Sequence, residues 1–246
     1  MDNIEIFEQT LDFSDSILYT ETMDLKKNTE VIIDGSIYLK DLRKTQVIKI
    51  VNTDTVRAIL ETNRGSHIAV LNFADAVEAG GLVWEGESTF EEHLCRCSNL
   101  YKSLKQDICR RNYYDYNWSL GDNIFSNRII YSPDVTFFKD ENYNPISDFM
   151  KCDIISSPAP IACNDIEVFI KRIKCILGVA QYKGVDTLFL GAYGCGAFDN
   201  DPTMVASAFK QVLDEFKCFD KVIFAIKETP HIPDNNYEVF KEVLDG

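Results

Sequence analysis

Short apolar runs alternate with helix-start signals through the second half of this chain, and that alternation leaves few folds open. Asp153-Ile-Ile-Ser156 reads as a strand, and a helix over 165–181 follows it, with Asn164 and Glu167 as a cap pair. Thr187-Leu-Phe-Leu190 reads as a buried strand. After a loop, Pro202 stands where the first position of a helix belongs, with Asp201 as its cap. Lys221-Val-Ile-Phe-Ala-Ile226 is a last strand and 235–244 a last helix. Such an order implies an α/β fold with a largely parallel sheet and helices on both faces.

The first half is read more coarsely. Residues 3–11 form a helix, 31–33 and 47–51 short strands, and 54–62 a helix capped by Thr53. His67-Ile-Ala-Val-Leu-Asn-Phe73 is a strand. One helix covers 89–105, its apolar face made by Leu94, Cys97, Tyr101 and Leu104 at helical spacing. Arg128–Ser132 is a further strand.

Composition bounds the function. A length of 246 residues suits one large α/β domain, or at most two small ones. Eight dispersed cysteines in apolar surroundings point to buried free thiols and a reducing, cytoplasmic setting. The acidic N-terminus lacks the pattern of a signal peptide, and no apolar run is long enough to span a bilayer. A net charge of −14 argues against an extended nucleic-acid interface, which needs a basic face. It leaves open a small anionic ligand, because backbone amides bind phosphate without Lys or Arg.

Ligands of open α/β sheets bind beyond the carboxyl ends of strands, and two loops at such places have unusual composition. The first runs from Asn72 through Gly80-Gly81 to Glu91-Glu92. A glycine pair lets backbone approach a ligand, and two carboxylates can do acid/base work or hold ribose hydroxyls. The same letters also describe a helix start, since Ser88…Glu91 and Thr89…Glu92 both fit a capping box. Glu92 and Arg96 have the spacing of a surface ion pair. The second loop, Gly191-Ala-Tyr-Gly194-Cys-Gly196-Ala-Phe198, precedes a helix and fits either a phosphate cradle or a tight turn.

Other residues draw blander readings. His93, Cys95 and Cys97 lack a second Cys/His pair, so no metal is expected. The Cys195 thiol lies near a helix start, where reactivity can rise, but no His is adjacent in sequence. The aromatic run Asn112–Trp118 fits a half-buried loop or a base-stacking lid. Trp84 contacts substrate or anchors its loop, and His67 and His231 are structural or solvated.

Taken together, the motifs resemble the microbial-type poly(ADP-ribose) glycohydrolase family, whose members are macrodomains. The family signature is three glycines, six to eight residues, then Gln-Glu-Glu. Here Gly80-Gly81-Leu82 is followed by seven residues and Phe90-Glu91-Glu92. Val70–Ala74, Leu94–Ser98, Ile130–Val135, Ser157–Pro160 and Gly191–Pro202 recur in the family's order, so the resemblance spans about 50–226. It implies a three-layer α/β/α macrodomain over 1–246, with a mixed, largely parallel sheet and an N-terminal helix/strand extension over 1–50. It implies a glycosidase that cleaves ribose–ribose O-glycosidic bonds and releases ADP-ribose from polymer on modified proteins, with no cofactor or metal.

The same resemblance implies residue roles. Glu92 is the general acid/base and Glu91 holds the neighbouring ribose. Asn72 shapes the ribose side of the cleft. Gly80 and Gly81 let the loop wrap the ligand. Gly194, Cys195, Gly196 and Ala197 present amides to the diphosphate, and Phe198 packs against the terminal ribose. Two departures bear on substrate choice. Leu82 replaces the third glycine, where positive φ is costly, and Phe90 replaces the Gln, where an apolar ring can desolvate Glu92. They keep two alternatives open: a non-catalytic ADP-ribose reader, and a hydrolase of mono-ADP-ribosylated protein or nucleic acid.

Overall fold

A computed structural model describes residues 1–63, 65–228 and 235–245. His231 lies outside the described residues. In chain order the elements are α1 (Asn3–Ser16), α2 (Tyr19–Asn28), β1 (Glu30–Ile32), β2 (Val47–Val51), α3 (Thr55–Leu60) and β3 (Ile68–Phe73). Then come α4 (Phe90–Cys97), α5 (Leu100–Leu104), α6 (Asp107–Cys109), a π turn (Arg110–Tyr114) and α7 (Asp115–Leu120). The long pair β4 (Ile129–Lys139) and β5 (Pro145–Ser157) follows. The chain closes with α8 (Ile166–Tyr182), β6 (Thr187–Leu190), α9 (Pro202–Glu215), β7 (Lys221–Ala225) and α10 (Asn236–Asp245).

Among the described residues the strands form one seven-stranded sheet, ordered β1-β4-β5-β3-β6-β7-β2. Neighbours from β5 to β2 pair in parallel, while β4 runs antiparallel to both β1 and β5. The expected mixed, largely parallel sheet is therefore present. Side chains of each strand alternate between two cores. Ala69, Leu71, Leu188, Leu190, Val222 and Phe224 face a core shared with α8, α9 and α10. Ile68, Val70, Phe189 and Ile223 face a second core shared with α1, α3, α4 and α5. Three layers result, with helices on both faces. No helix among the described residues is long and apolar enough to cross a membrane.

Several local readings are corrected. The helix expected over 89–105 is two helices. Ser98 is extended (φ −146°, ψ 176°) and bridges Phe137 of β4, while the Asn99 amide donates to the Thr136 carbonyl at 3.2 Å. The hairpin strand takes the backbone groups that a continuous helix would use. The periodicity survives the break because Leu94, Cys97, Tyr101 and Leu104 all remain buried. Asp54, not Thr53, caps α3, its carboxylate accepting from the Val56 amide, and Asp165, not Asn164, caps α8. In each case the residue one position later has the extended backbone that a cap needs. The first helix also runs on to Ser16, and the second half's β4 and β5 form a hairpin rather than two separate short strands.

Candidate active site

The carboxyl ends of β3, β6, β7 and β2 open on one cleft of about 570 Å³. Its wall is built by the loop after β3, the first turn of α4 and the loop after β6, joined by Thr53–Thr55 and by Glu141 and Tyr143 from the β4–β5 turn. Both loops singled out in the sequence thus meet at one site, which is where an α/β sheet binds ligands.

The paired glutamates are not helix caps. Thr89 has the backbone of an N-cap, yet its side chain makes no capping bond. Its hydroxyl donates instead to Glu92 Oε2, and the Leu82 amide donates to Glu92 Oε1 at 2.9 Å. Glu91 accepts from Asn72 Nδ2 at 3.0 Å and from the Asp75 amide at 2.8 Å. Glu91 and Glu92 are 2% and 4% exposed, so both are withdrawn from bulk water into the cleft wall. A capping box would leave them at the helix surface.

Burial pushes the Glu91 carboxyl well above the usual carboxylate range, outweighing the bonds from Asp75 and Asn72. A group with a raised folded pKa adds stability below its unfolded pKa, and that contribution is lost as pH rises through the folded value. The melting temperature of the wild type is thus expected to fall more steeply than that of Glu91→Gln as pH rises above the ordinary carboxylate range. Parallel slopes in thermal melts would contradict this.

The loop that carries the glycines depends on them. Gly80 and Gly81 have φ of +76° and +56°. A Cβ on Gly80 would stand 2.7 Å from the Tyr101 ring, and one on Gly81 would collide with Glu92 Oε1. Leu82, by contrast, has φ −95°, so its replacement of a glycine costs no backbone strain. Trp84 anchors the loop: its Nε1 donates to Tyr101 Oη at 2.8 Å and its ring meets Phe7 edge-on. Arg96 does not pair with Glu92. It is fully buried and donates to the carbonyls of Asn3 at 3.0 Å and Glu87 at 2.5 Å, tying the loop to α1.

In the second loop, Gly194 has φ +75° and packs against Ala159 and Asn200, leaving no room for a side chain. Asn200 holds the turn by donating to the carbonyls of Gly194 at 2.7 Å and Pro160 at 2.8 Å. Among the described residues, the amides of Gly194, Gly196, Ala197 and Phe198 find no acceptor. The Cys195 amide differs from the expectation: it donates to the Ala192 carbonyl at 3.1 Å, closing the turn. Nor is its thiol activated, because burial pushes it up to about 12.

Phe90 lies flat on Phe73, with ring centroids 4.1 Å apart, and both line the cleft. Burial pushes up the carboxyl of its chain neighbour Glu91. His93 is taken up by Asp54 at 3.3 Å and by Tyr143 Oη at 3.0 Å. Burial alone would raise Asp54, but the bonds from His93 and from the Val56 amide hold it below the usual range. Burial pushes the thiols of Cys95 and Cys97 well up. The aromatic run is not a loop: it is the π turn and α7, with Tyr113 and Tyr114 buried, Tyr113 Oη donating to the Asp75 carbonyl at 3.3 Å, and Trp118 exposed and outside the cleft lining.

Sequence reasoning missed Thr89, Asp75, Asp54 and Tyr143. Thr89 looked like a cap, and Tyr143 reaches the cleft only because the turn of the β4–β5 hairpin meets α4. It also missed Lys227, the one Lys or Arg in the cleft lining among the described residues.

The family model described as microbial-type PARG, catalytic domain, matches residues 8–140, more than half of the chain. The chain belongs to this family. Solved structures agree. Poly(ADP-ribose) glycohydrolase from Thermomonospora curvata is 25% identical, with 98% of each chain covered and a TM-score of 0.89. The same protein bound to the inhibitor ADP-HPD gives a TM-score of 0.86 at 25% identity, again with 98% of each chain covered. The poly(ADP-ribose) glycohydrolase of Deinococcus radiodurans in complex with ADP-ribose is 26% identical over 91% of this chain and 96% of that one, with a TM-score of 0.83. No curated protein matches the chain. Within the family's glycine and glutamate motif, the positions that depart here, Leu82 and Phe90, are accommodated by the geometry above.

Proposed function

We propose that this protein is a poly(ADP-ribose) glycohydrolase that cleaves ribose–ribose bonds and releases ADP-ribose from polymer on modified proteins. The observation that carries this reading is that Glu91 and Glu92 turn away from their helix into a cleft floored by a glycine loop with free amides. Family membership and the likeness to glycohydrolases bound to ADP-ribose and to ADP-HPD support it.

In this reading Glu92 gives its proton to the departing ribose oxygen as the anomeric C–O bond breaks and an oxocarbenium-like centre develops. Water then adds to that carbon and returns a proton to the carboxylate. Glu91 and Asn72 position the neighbouring ribose. The amides of Gly194, Gly196 and Ala197 receive the diphosphate, and Phe198 packs on the terminal sugar. The catalytic unit takes in the N-terminal residues 1–50, since α1 backs the glycine loop through Asn3 and Phe7. All eight cysteines are free and seven are buried, which suits a reducing cytoplasm.

Release of free ADP-ribose from automodified poly(ADP-ribosyl)ated protein tests the reading. Tight ADP-ribose binding without turnover would replace it with a reader. Because Lys227 is the single Lys or Arg lining the described cleft, amides carry the anion recognition. ADP-ribose affinity is expected to change less than about threefold between low and moderate salt. A steep loss, followed by calorimetry, would reveal a cationic wall instead.

A further inference from the structure

Thr89 occupies the N-cap of α4 but leaves the cap unused. Its hydroxyl is spent on Glu92 Oε2, and Thr89 itself lines the cleft. The stabilising bond that a Ser or Thr cap normally gives its helix is forgone here. Glu92 is gripped at both oxygens: the Leu82 amide holds Oε1 and Thr89 holds Oε2. The two donors differ in kind. An amide N–H can only donate, so it serves an oxygen that stays an acceptor. A hydroxyl donates or accepts by rotating.

We propose that Thr89 is a positioning residue for the catalytic acid. It donates to the Glu92 carboxylate, and when Oε2 carries the proton it rotates and accepts. Oε2 thereby keeps a partner in both protonation states, while Leu82 fixes the carboxyl plane through Oε1. Thr89 keeps its own proton throughout; the proton that moves belongs to Glu92. This role rests on the glycohydrolase reading above.

The alternative is that Thr89 matters only as the start of a helix, and three variants separate the two. Thr89→Val keeps the shape and loses the hydroxyl. Thr89→Ser keeps the hydroxyl. Thr89→Asp is a good helix cap but has no proton to donate beside Glu92. ADP-ribose release from poly(ADP-ribose) is measured as kcat and KM, with melting temperature alongside. Thr89→Val is expected to lose about tenfold to a hundredfold in kcat, the range for a hydrogen bond to a charged group, with KM within about threefold. Thr89→Ser is expected to restore kcat to within about threefold, and Thr89→Asp to be at least as poor as Thr89→Val. The role is overturned if Thr89→Val keeps kcat within about twofold, if Thr89→Asp matches the wild type, or if Thr89→Ser is as poor as Thr89→Val. Unchanged kcat in Thr89→Val with an active wild type refutes only the role of Thr89. A wild type that releases nothing removes the glycohydrolase reading and the positioning role with it.

Discussion

Glu92→Gln is expected to lower ADP-ribose release by about 10²–10⁴-fold, the usual contribution of a positioned acid or base. The protein is expected to stay folded. The amide oxygen can still accept from the Leu82 amide, and its NH2 group can donate to Thr89 once that hydroxyl rotates. With both contacts replaced, a destabilisation below about 1 kcal/mol is expected, which is a shift of roughly 2–4 °C for a domain of this size. ADP-ribose binding should persist, because the free amides of the second loop are untouched. Single-turnover rates on purified polymer, with a melt and a binding isotherm, check all three. A variant that keeps more than about a tenth of wild-type activity would remove Glu92 from the role of proton carrier.

Gly81→Val is expected to be the second most damaging change, and through geometry alone. Gly81 has φ +56°, and any Cβ there runs into Glu92 Oε1. A branched residue in left-handed conformation costs about 1–2 kcal/mol, which corresponds to a fall of roughly 2–8 °C in melting temperature. Activity should fall further than stability does. The added side chain competes with the carboxyl for its place and pulls the Leu82 amide away from it. Displacements of about 1 Å can cost about 10²-fold in rate, so kcat measured well below the variant's melting point should drop by that order. Leu82→Gly makes the control: Leu82 has φ −95° and its side chain is half exposed, so kcat should stay close to wild type. Equal losses in both variants would show that loop flexibility, rather than room beside Glu92, is what matters.

Much of the architecture was legible along the chain. The apolar runs at 187–190 and 221–225 need burial on both sides, and Asp201-Pro202 marks a helix start by cap and ring geometry alone. Such signals are local, so one-dimensional reading recovers them. The two ligand loops were legible for the same reason, because glycines concentrate where backbone takes positive φ, as Gly80, Gly81 and Gly194 do.

What spacing left open was direction. Ser88-Thr89-Phe90-Glu91-Glu92 satisfies a capping box and an active site equally well. The choice is made by partners outside the segment: Asn72 on β3, the Asp75 amide, and the Leu82 amide presented by the glycine turn. The helix break at Ser98 is decided by a strand 39 residues away, and the burial of Arg96 by a carbonyl 93 residues away. The sequence by itself determined the layers and the sheet, because periodicity and cap chemistry act over a few residues, and it singled out the two acids only through the resemblance of its motifs to a family. Only the tertiary structure turned those acids into the cleft, because the donors that draw them there come from other elements of the fold.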